Sequence, residues 1–228
     1  MASHVQSRIA SHDGVEQSSY SLQILQQPRS ARACGHGESD RRYIDPPFII
    51  KLMTKDPNRV TRGVNPEPDV SFFMTCKLCD QGGTEYKPVE RYDGQRTSGY
   101  QRLLGQCVCT DFWGHDEKGQ KGWFFWFSEL SVRWPGKYRL EVTVVKIKLS
   151  ESKTGRIPEV GKAMSDTFEV FSAKDFEGYA ECTELTRILK IQGGIFSRAI
   201  VTKCRGDEYG NEDGTMQSNR TPVTDLGD

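Results

Sequence analysis

What the chain lacks narrows it first. It has no apolar run long enough to span a bilayer: Trp123-Phe124-Phe125-Trp126-Phe127 is among the longest, far short of the ~18–20 residues a membrane helix needs. The first twenty residues hold no apolar stretch of the secretory kind, so the cysteines are expected to be reduced thiols of an intracellular protein. Neither sign of charge dominates, with Lys+Arg and Asp+Glu at 31 each. That excludes a globally basic nucleic-acid binder and leaves room for a local basic patch. Enzyme signatures are missing as well: there is no Gly-x-Ser-x-Gly, no His-Glu-x-x-His, and no Gly-x-Gly-x-x-Gly after a strand-like run. Gly114-His-Asp-Glu-Lys-Gly119 resembles the front of a phosphate loop, but Gln120 takes the lysine position and no helical pattern follows, which makes it a turn. The expectation is no enzyme and no cofactor.

What is present is a polar chain that still holds a core. Hydrophobic residues make up 36% of 228, among them eleven Phe, eight Tyr and four Trp. A chain of this length buries about 70% of its unfolded surface without help from metal or disulfide. Residues 1–17 are polar and aperiodic and read as a disordered lead. Residues 207–228 carry Asp207, Glu208, Glu212, Asp213, Asp225 and Asp228 against Arg220 alone, an acidic tail with no face to bury. Residues 18–206 remain as one folded domain.

Within it the periodicity is mostly two. Tyr20, Leu22 and Ile24 alternate with polar residues, as do Tyr138, Leu140, Val142 and Val144. The apolar set then moves to Val145, Ile147 and Leu149, a phase shift that predicts a bulge. Further strands are expected at Phe48–Leu52, Val70–Cys76, Phe168–Val170 and Ile195–Lys203. One segment has helical spacing, with Leu185, Ile188, Leu189 and Gln192 on one face, Thr183 as cap and Gly193-Gly194 as stop. Many short strands, Pro/Gly punctuation and one late α-helix predict a mainly β fold, a β-sandwich.

Cys76-Lys-Leu-Cys79 and Cys107-Val-Cys109 raise the question of zinc. A structural site needs four ligands in a tetrahedron, commonly from two turn-borne pairs. One intervening residue in a strand instead points Cys107 and Cys109 to the same face, so buried strand thiols are expected and no metal. The charge map gives the positive signal. Arg29, Arg32, Arg41 and Arg42 lie in a Gly-containing stretch ahead of Asp45-Pro46-Pro47, and seven basic residues fall between Arg133 and Arg156. Guanidinium forks on a loop suit phosphates and base edges, which makes these four arginines the candidate nucleic-acid-binding residues.

Gln27-Pro28-Arg29-Ser-Ala-Arg32-Ala-Cys-Gly35 followed by Asp40-Arg41-Arg42-Tyr-Ile-Asp45-Pro46-Pro47 resembles the opening of the fungal velvet domain. Leu103-Leu104-Gly105, Gly122-Trp-Phe124-Phe125-Trp-Phe127-Ser-Glu-Leu130-Ser-Val132-Arg133, Gly136-Lys-Tyr-Arg139-Leu140, Ser165-Asp166-Thr-Phe168-Glu-Val170 and Cys182-Thr183-Glu-Leu185 continue the likeness in order, from about Tyr20 to Arg205. The resemblance implies an immunoglobulin-like β-sandwich similar to the Rel-type DNA-binding domain. It also implies a nuclear regulator, present in the cytoplasm too, that couples sporulation and sexual development to secondary metabolism. The implied partners are DNA, other velvet proteins as homo- or heterodimers, and a methyltransferase-like nuclear regulator. In that family the basic loop before Asp-Pro-Pro contacts DNA, which maps to Arg41 and Arg42. Gly37 and Ser39 stand where the DNA-binding branch often has lysine, and Tyr43 where a proline is usual.

Overall fold

Alternation along the chain becomes sheet in a computed structural model that describes residues 20–35, 41–54, 65, 67–87, 89–92, 97–148, 158–198, 200, 201 and 204. The strands run in order as β1 (Tyr20–Gln26), β2 (Ser30–Arg32), β3 (Phe48–Thr54), β4 (Val70–Cys79), β5 (Val89–Tyr92), β6 (Thr97–Tyr100) and β7 (Leu103–Leu104). They continue as β8 (Val108–Thr110), β9 (Phe112–His115), β10 (Lys121–Phe127), β11 (Ser131–Val132), β12 (Gly136–Lys148), β13 (Glu159–Met164) and β14 (Phe168–Phe171), before helix α1 (Glu184–Ile191). A four-stranded sheet has the order β1-β3-β10-β9; a six-stranded sheet has the order β2-β14-β12-β4-β8, with β13 pairing on β12. The expected mainly β sandwich with one late helix is the observed fold.

The sandwich core is the set of side chains that alternation sends inward. Phe48, Ile50 and Leu52 of β3 and Trp123, Phe125 and Phe127 of β10 meet Phe72, Met74, Cys76 and Leu78 of β4 and Leu140, Val142 and Val144 of β12. Edge-on aromatic contacts join the sheets, Phe72 to Trp123 at 5.0 Å and Tyr20 to Phe72 at 5.3 Å, the arrangement that ring quadrupoles favour. The phase shift at Val144/Val145 coincides with a register break in the β12–β13 ladder. Against β4 the same stretch of β12 runs without interruption, so the extra residue, Val160, belongs to β13. Gly105 follows β7 at φ 103°, and a Cβ there would fall 1.8 Å from the Glu129 carbonyl oxygen; only glycine fits.

A second core lies on the outer face of the four-stranded sheet. Ile49 and Phe124, pointing away from the sandwich, are covered by Cys182, Leu185, Leu189, Phe196, Ile200 and Cys204. Helix α1 is built as expected: Thr183 caps it, its side chain accepting from the Thr186 amide, and Gly193 follows at φ 99°. Two expectations are corrected here. Ile195–Lys203 is not a strand: Arg198, Ile200, Val201 and Cys204 are helical, and the Val201 amide donates to the Ser197 carbonyl at 3.0 Å. Nor are all seven cysteines free thiols, because Cys182 and Cys204 form a disulfide. A covering layer explains the first: a helix turns Phe196, Ile200 and Cys204 onto one face against the sheet, and that face sets Cys204 beside Cys182 in the same apolar cluster, where the two are bonded.

The Gly114–Gly119 motif forms the turn between β9 and β10. Asp116 accepts from the Lys118 and Gln120 amides at 3.0 and 2.8 Å, and its other oxygen receives the Lys51 ammonium at 2.9 Å. Lys51 is fully buried, its head also donating to the Gln120 carbonyl and lying 5.4 Å from the Phe124 ring centre. A methyl at Gly122 would meet its Cε at 2.7 Å; the missing side chain is the channel through which the lysine passes.

Candidate nucleic-acid interface

Asp45 organises the arginine-bearing edge. Its carbonyl oxygen accepts from the Arg29 and Ser30 amides at 3.1 and 3.0 Å, and its amide donates to the Ser30 carbonyl. Its carboxylate accepts from the Ala180 amide at 2.7 Å. Two segments distant in sequence, at 29–30 and at 180, therefore converge on one buried residue. Beyond it, Ser30–Arg32 pairs in parallel with β14, Arg32 opposite Phe171, and Tyr43 bridges to Ser131.

The two arginine pairs consequently sit on neighbouring stretches. Arg29 and Arg41 are exposed, Arg32 and Arg42 partly so. An Arg42 guanidinium nitrogen donates to the Arg41 carbonyl at 3.1 Å. Arg32 and Arg42 both act on the hydroxyl of Tyr179: burial raises its pKa, the two guanidinium charges and the Tyr43 amide oppose the rise, and Asp45 adds to it. Gly37 and Ser39 lie outside the described residues. Arg133 fastens the end of the first stretch, donating to the Gly35 carbonyl at 2.8 Å and to the Gln101 carbonyl at 3.0 Å.

The second basic stretch is used within the fold. Lys146 meets Glu67 at 2.7 Å and the Tyr20 hydroxyl at 2.8 Å, Arg139 donates to the Ser165 carbonyl at 2.8 Å, and Lys137 faces Glu169 at 3.9 Å. Lys153 and Arg156 lie outside the described residues. Sequence reasoning missed Tyr179 and the Asp45 hub, since both depend on contacts far apart in the chain; Arg133 was seen as charge, not as the clamp it is.

Three of the four cysteines expected in strands are neighbours: the Cys76 amide donates to the Cys107 carbonyl at 2.8 Å, and Cys109 pairs with Met74, two residues before Cys76. Cys76 stands opposite Val142 and Cys79 opposite Arg139, so the Cys-x-x-Cys pair is divided between the two faces of β4. Burial pushes the Cys76 thiol well up and the Cys109 thiol to about 12. Protonated thiols in apolar surroundings are poor metal ligands, and among the described residues no group of His, Cys, Asp and Glu is placed to hold an ion.

Comparison with known proteins points to one family. The family model described as Velvet factor matches residues 20–101 and 87–199. The chain is 40% identical over 196 residues to the sexual development regulator velC of Gibberella moniliformis, a match covering 84% of this chain and 41% of that protein. It is 39% identical over 191 residues to the spore development regulator vosA of Beauveria bassiana, covering 79% and 66%. With the developmental and secondary metabolism regulator MVE1 of Zymoseptoria tritici the identity is 32% over 228 residues, covering 87% and 86%. The chain spans less than half the length of the sexual development regulators it matches. The matched segment takes in both sheets, the arginine-bearing edge and the late helix, and on that evidence the chain belongs to the velvet family.

Proposed function

We propose that this chain is a transcriptional regulator that binds DNA through the edge bearing Arg29, Arg32, Arg41 and Arg42, and that it coordinates fungal development and sporulation with secondary metabolism. The observation that carries the reading is the convergence of two separate arginine stretches on Asp45. Relatives named as sexual-development, spore-development and secondary-metabolism regulators support the biological side. It works as a homodimer or with another velvet protein, in keeping with a relative from Chaetomium globosum whose name makes it a component of a velvet complex. It acts in the nucleus and is also present in the cytoplasm. Arg41-Arg42 is short for a nuclear-import cluster, and we infer that the chain reaches the nucleus partly by association with a partner, another velvet protein or a methyltransferase-like nuclear regulator. The chemistry is recognition and not catalysis.

A salt-titrated binding isotherm tests it. Each lost phosphate contact lowers the slope of log K against log salt by about 0.9, so Arg41→Ala with Arg42→Ala should weaken binding and reduce the slope by roughly 2. Unchanged affinity and slope in a folded double variant would remove this edge from DNA. A second reading would then lead, an adaptor that binds other velvet proteins. The charge balance of 31 against 31, and Gly37 and Ser39 in place of lysine, are what favour it.

A further inference from the structure

The chain leaving β14 passes directly along the arginine edge. Phe171 stands opposite Arg32 in parallel register, and the Ala33 amide donates to the Phe171 carbonyl at 2.8 Å. The next residues turn, with the Ser172 hydroxyl bonded to the Asp175 carboxylate, and the chain returns so that the Ala180 amide reaches the Asp45 carboxylate at 2.7 Å. Between these anchors stands an aromatic pair, Phe176 and Tyr179, ring centres 5.2 Å apart at 74°. Neither residue belongs to either core. Tyr179 is 47% exposed, and its hydroxyl lies within reach of the Arg32 and Arg42 guanidinium charges, which oppose the rise that burial gives its pKa.

An exposed aromatic ring that no core requires, buttressed by a second ring, is shaped for contact. The segment also carries exposed Lys174 against Asp175, Glu177 and Glu181. It therefore brings no net attraction for phosphate and adds apolar surface instead. Because its ends are tied beside Arg32 and Arg42, anything whose phosphates lie on those arginines must run past Tyr179.

We propose that 172–181 forms the second wall of the DNA interface, and that Tyr179 packs its ring against deoxyribose and base edges of a strand whose phosphates lie on the arginines. This rests on the DNA-binding reading above. The two make different demands on salt. Guanidinium contacts to phosphate displace counterions, whereas ring contacts to sugar and base displace none. Tyr179→Ala should thus lower affinity with the salt slope unchanged, the opposite signature to the arginine variants.

The test is fluorescence anisotropy of the full chain on a labelled random-sequence DNA duplex across a salt series, with circular dichroism as the folding check. Tyr179→Ala is expected to weaken binding about tenfold at constant slope, and Tyr179→Phe, which keeps the ring, to stay within about twofold of the unmodified chain. A fall in slope for Tyr179→Ala, or an equal loss in Tyr179→Phe, would overturn the proposal by making Tyr179 a residue that only positions the arginine stretch. Unchanged affinity in Tyr179→Ala would overturn it too. The two fail distinguishably: if Arg41→Ala with Arg42→Ala weakens binding and lowers the slope while Tyr179→Ala leaves affinity unchanged, the arginine edge stands and the aromatic wall alone falls; if the arginine double variant leaves affinity intact, both fall. If the unmodified chain does not bind the duplex, both fall.

Discussion

The two sheets of this sandwich share one core, yet their outer faces differ. On the six-stranded sheet, β4 and β12 alternate buried and partly exposed residues along most of their length. On the four-stranded sheet, Phe48 to Leu52 of β3 and Gly122 to Phe125 of β10 are buried without interruption. The difference comes from the helical layer, which covers one sheet and leaves the other to water. A strand between two apolar layers has no polar side to show, so its alternation disappears. The same layer changes what a charge costs. On the covered face a lysine must be paired; on the open face it need not be.

The largest effect is expected where that cost is highest. Asp116→Ala would leave Lys51 buried without its carboxylate, and the Lys118 and Gln120 amides without their acceptor. Breaking such a pair from one side destabilises by about 3–5 kcal/mol, measurable by urea unfolding, and Asp116→Asn should recover part of the loss by keeping an acceptor. The pH dependence has a definite sign. Burial alone would raise the Asp116 pKa, but the Lys51 bond and the turn amides outweigh it, and the net value lies below the ordinary 3.8. A depressed carboxylate stabilises the fold above its unfolded pKa. That contribution is complete at neutral pH and disappears as pH falls from about 4 through the folded value. A melting temperature flat in this acid range would contradict the assignment.

Next in size is the disulfide. Cys182 and Cys204 are 22 residues apart, and closing a loop of that length constrains the unfolded chain by roughly 3 kcal/mol. Cys182→Ser or Cys204→Ser is expected to approach that loss, with amide exchange rising first around Ile200 and Val201 and the β4–β12 ladder last. Uniform acceleration across both sheets would mean that the covering layer and the sandwich unfold as one unit.

The same contrast explains what the sequence made legible. β12 was readable because one face is open; its phase change at Val144 and Val145 marked the place of a bulge, but the extra residue is Val160 of β13, a strand the sequence pattern did not reveal. The 195–203 stretch misled because its β-branched content outweighed a spacing of four, Phe196, Ile200 and Cys204, which is the face it buries. Two cysteines far apart in a chain carry no mark of their pairing. At the candidate interface the arginines were visible as charge. Tyr179 was not, because its place beside them depends on the return of the chain to Asp45.

A smaller effect tests how the covering layer is fastened. The Thr183 hydroxyl accepts from the Thr186 amide at 3.3 Å and donates to Gln26 of β1 at 2.6 Å, so one side chain both caps α1 and ties it to the sheet. Thr183→Ala should cost about 1 kcal/mol, and Thr183→Ser should restore most of it. Equal losses in the two variants would assign the effect to the methyl group and not to the cap.

The smallest expected effect lies on the open face and sharpens the contrast most. Lys77 of β4 meets Glu85 at 2.8 Å, almost the 2.9 Å that separates Lys51 from Asp116. Distance would rank the two pairs as equals, but their surroundings do not. Lys77 and Glu85 have side chains 49% and 51% exposed, against 0% and 5% for the buried pair. Water and salt already satisfy the exposed charges, and holding two long side chains together offsets what attraction remains. Lys77→Ala is therefore expected to change stability by no more than about 0.5 kcal/mol. Whatever change it does produce should shrink further in high salt, while the Asp116→Ala loss should barely respond. Unfolding curves for both variants at low and high salt make the comparison. A loss above about 1 kcal/mol from Lys77→Ala would show that the outer face of the six-stranded sheet is shielded from solvent, and the two faces would no longer differ in the way argued.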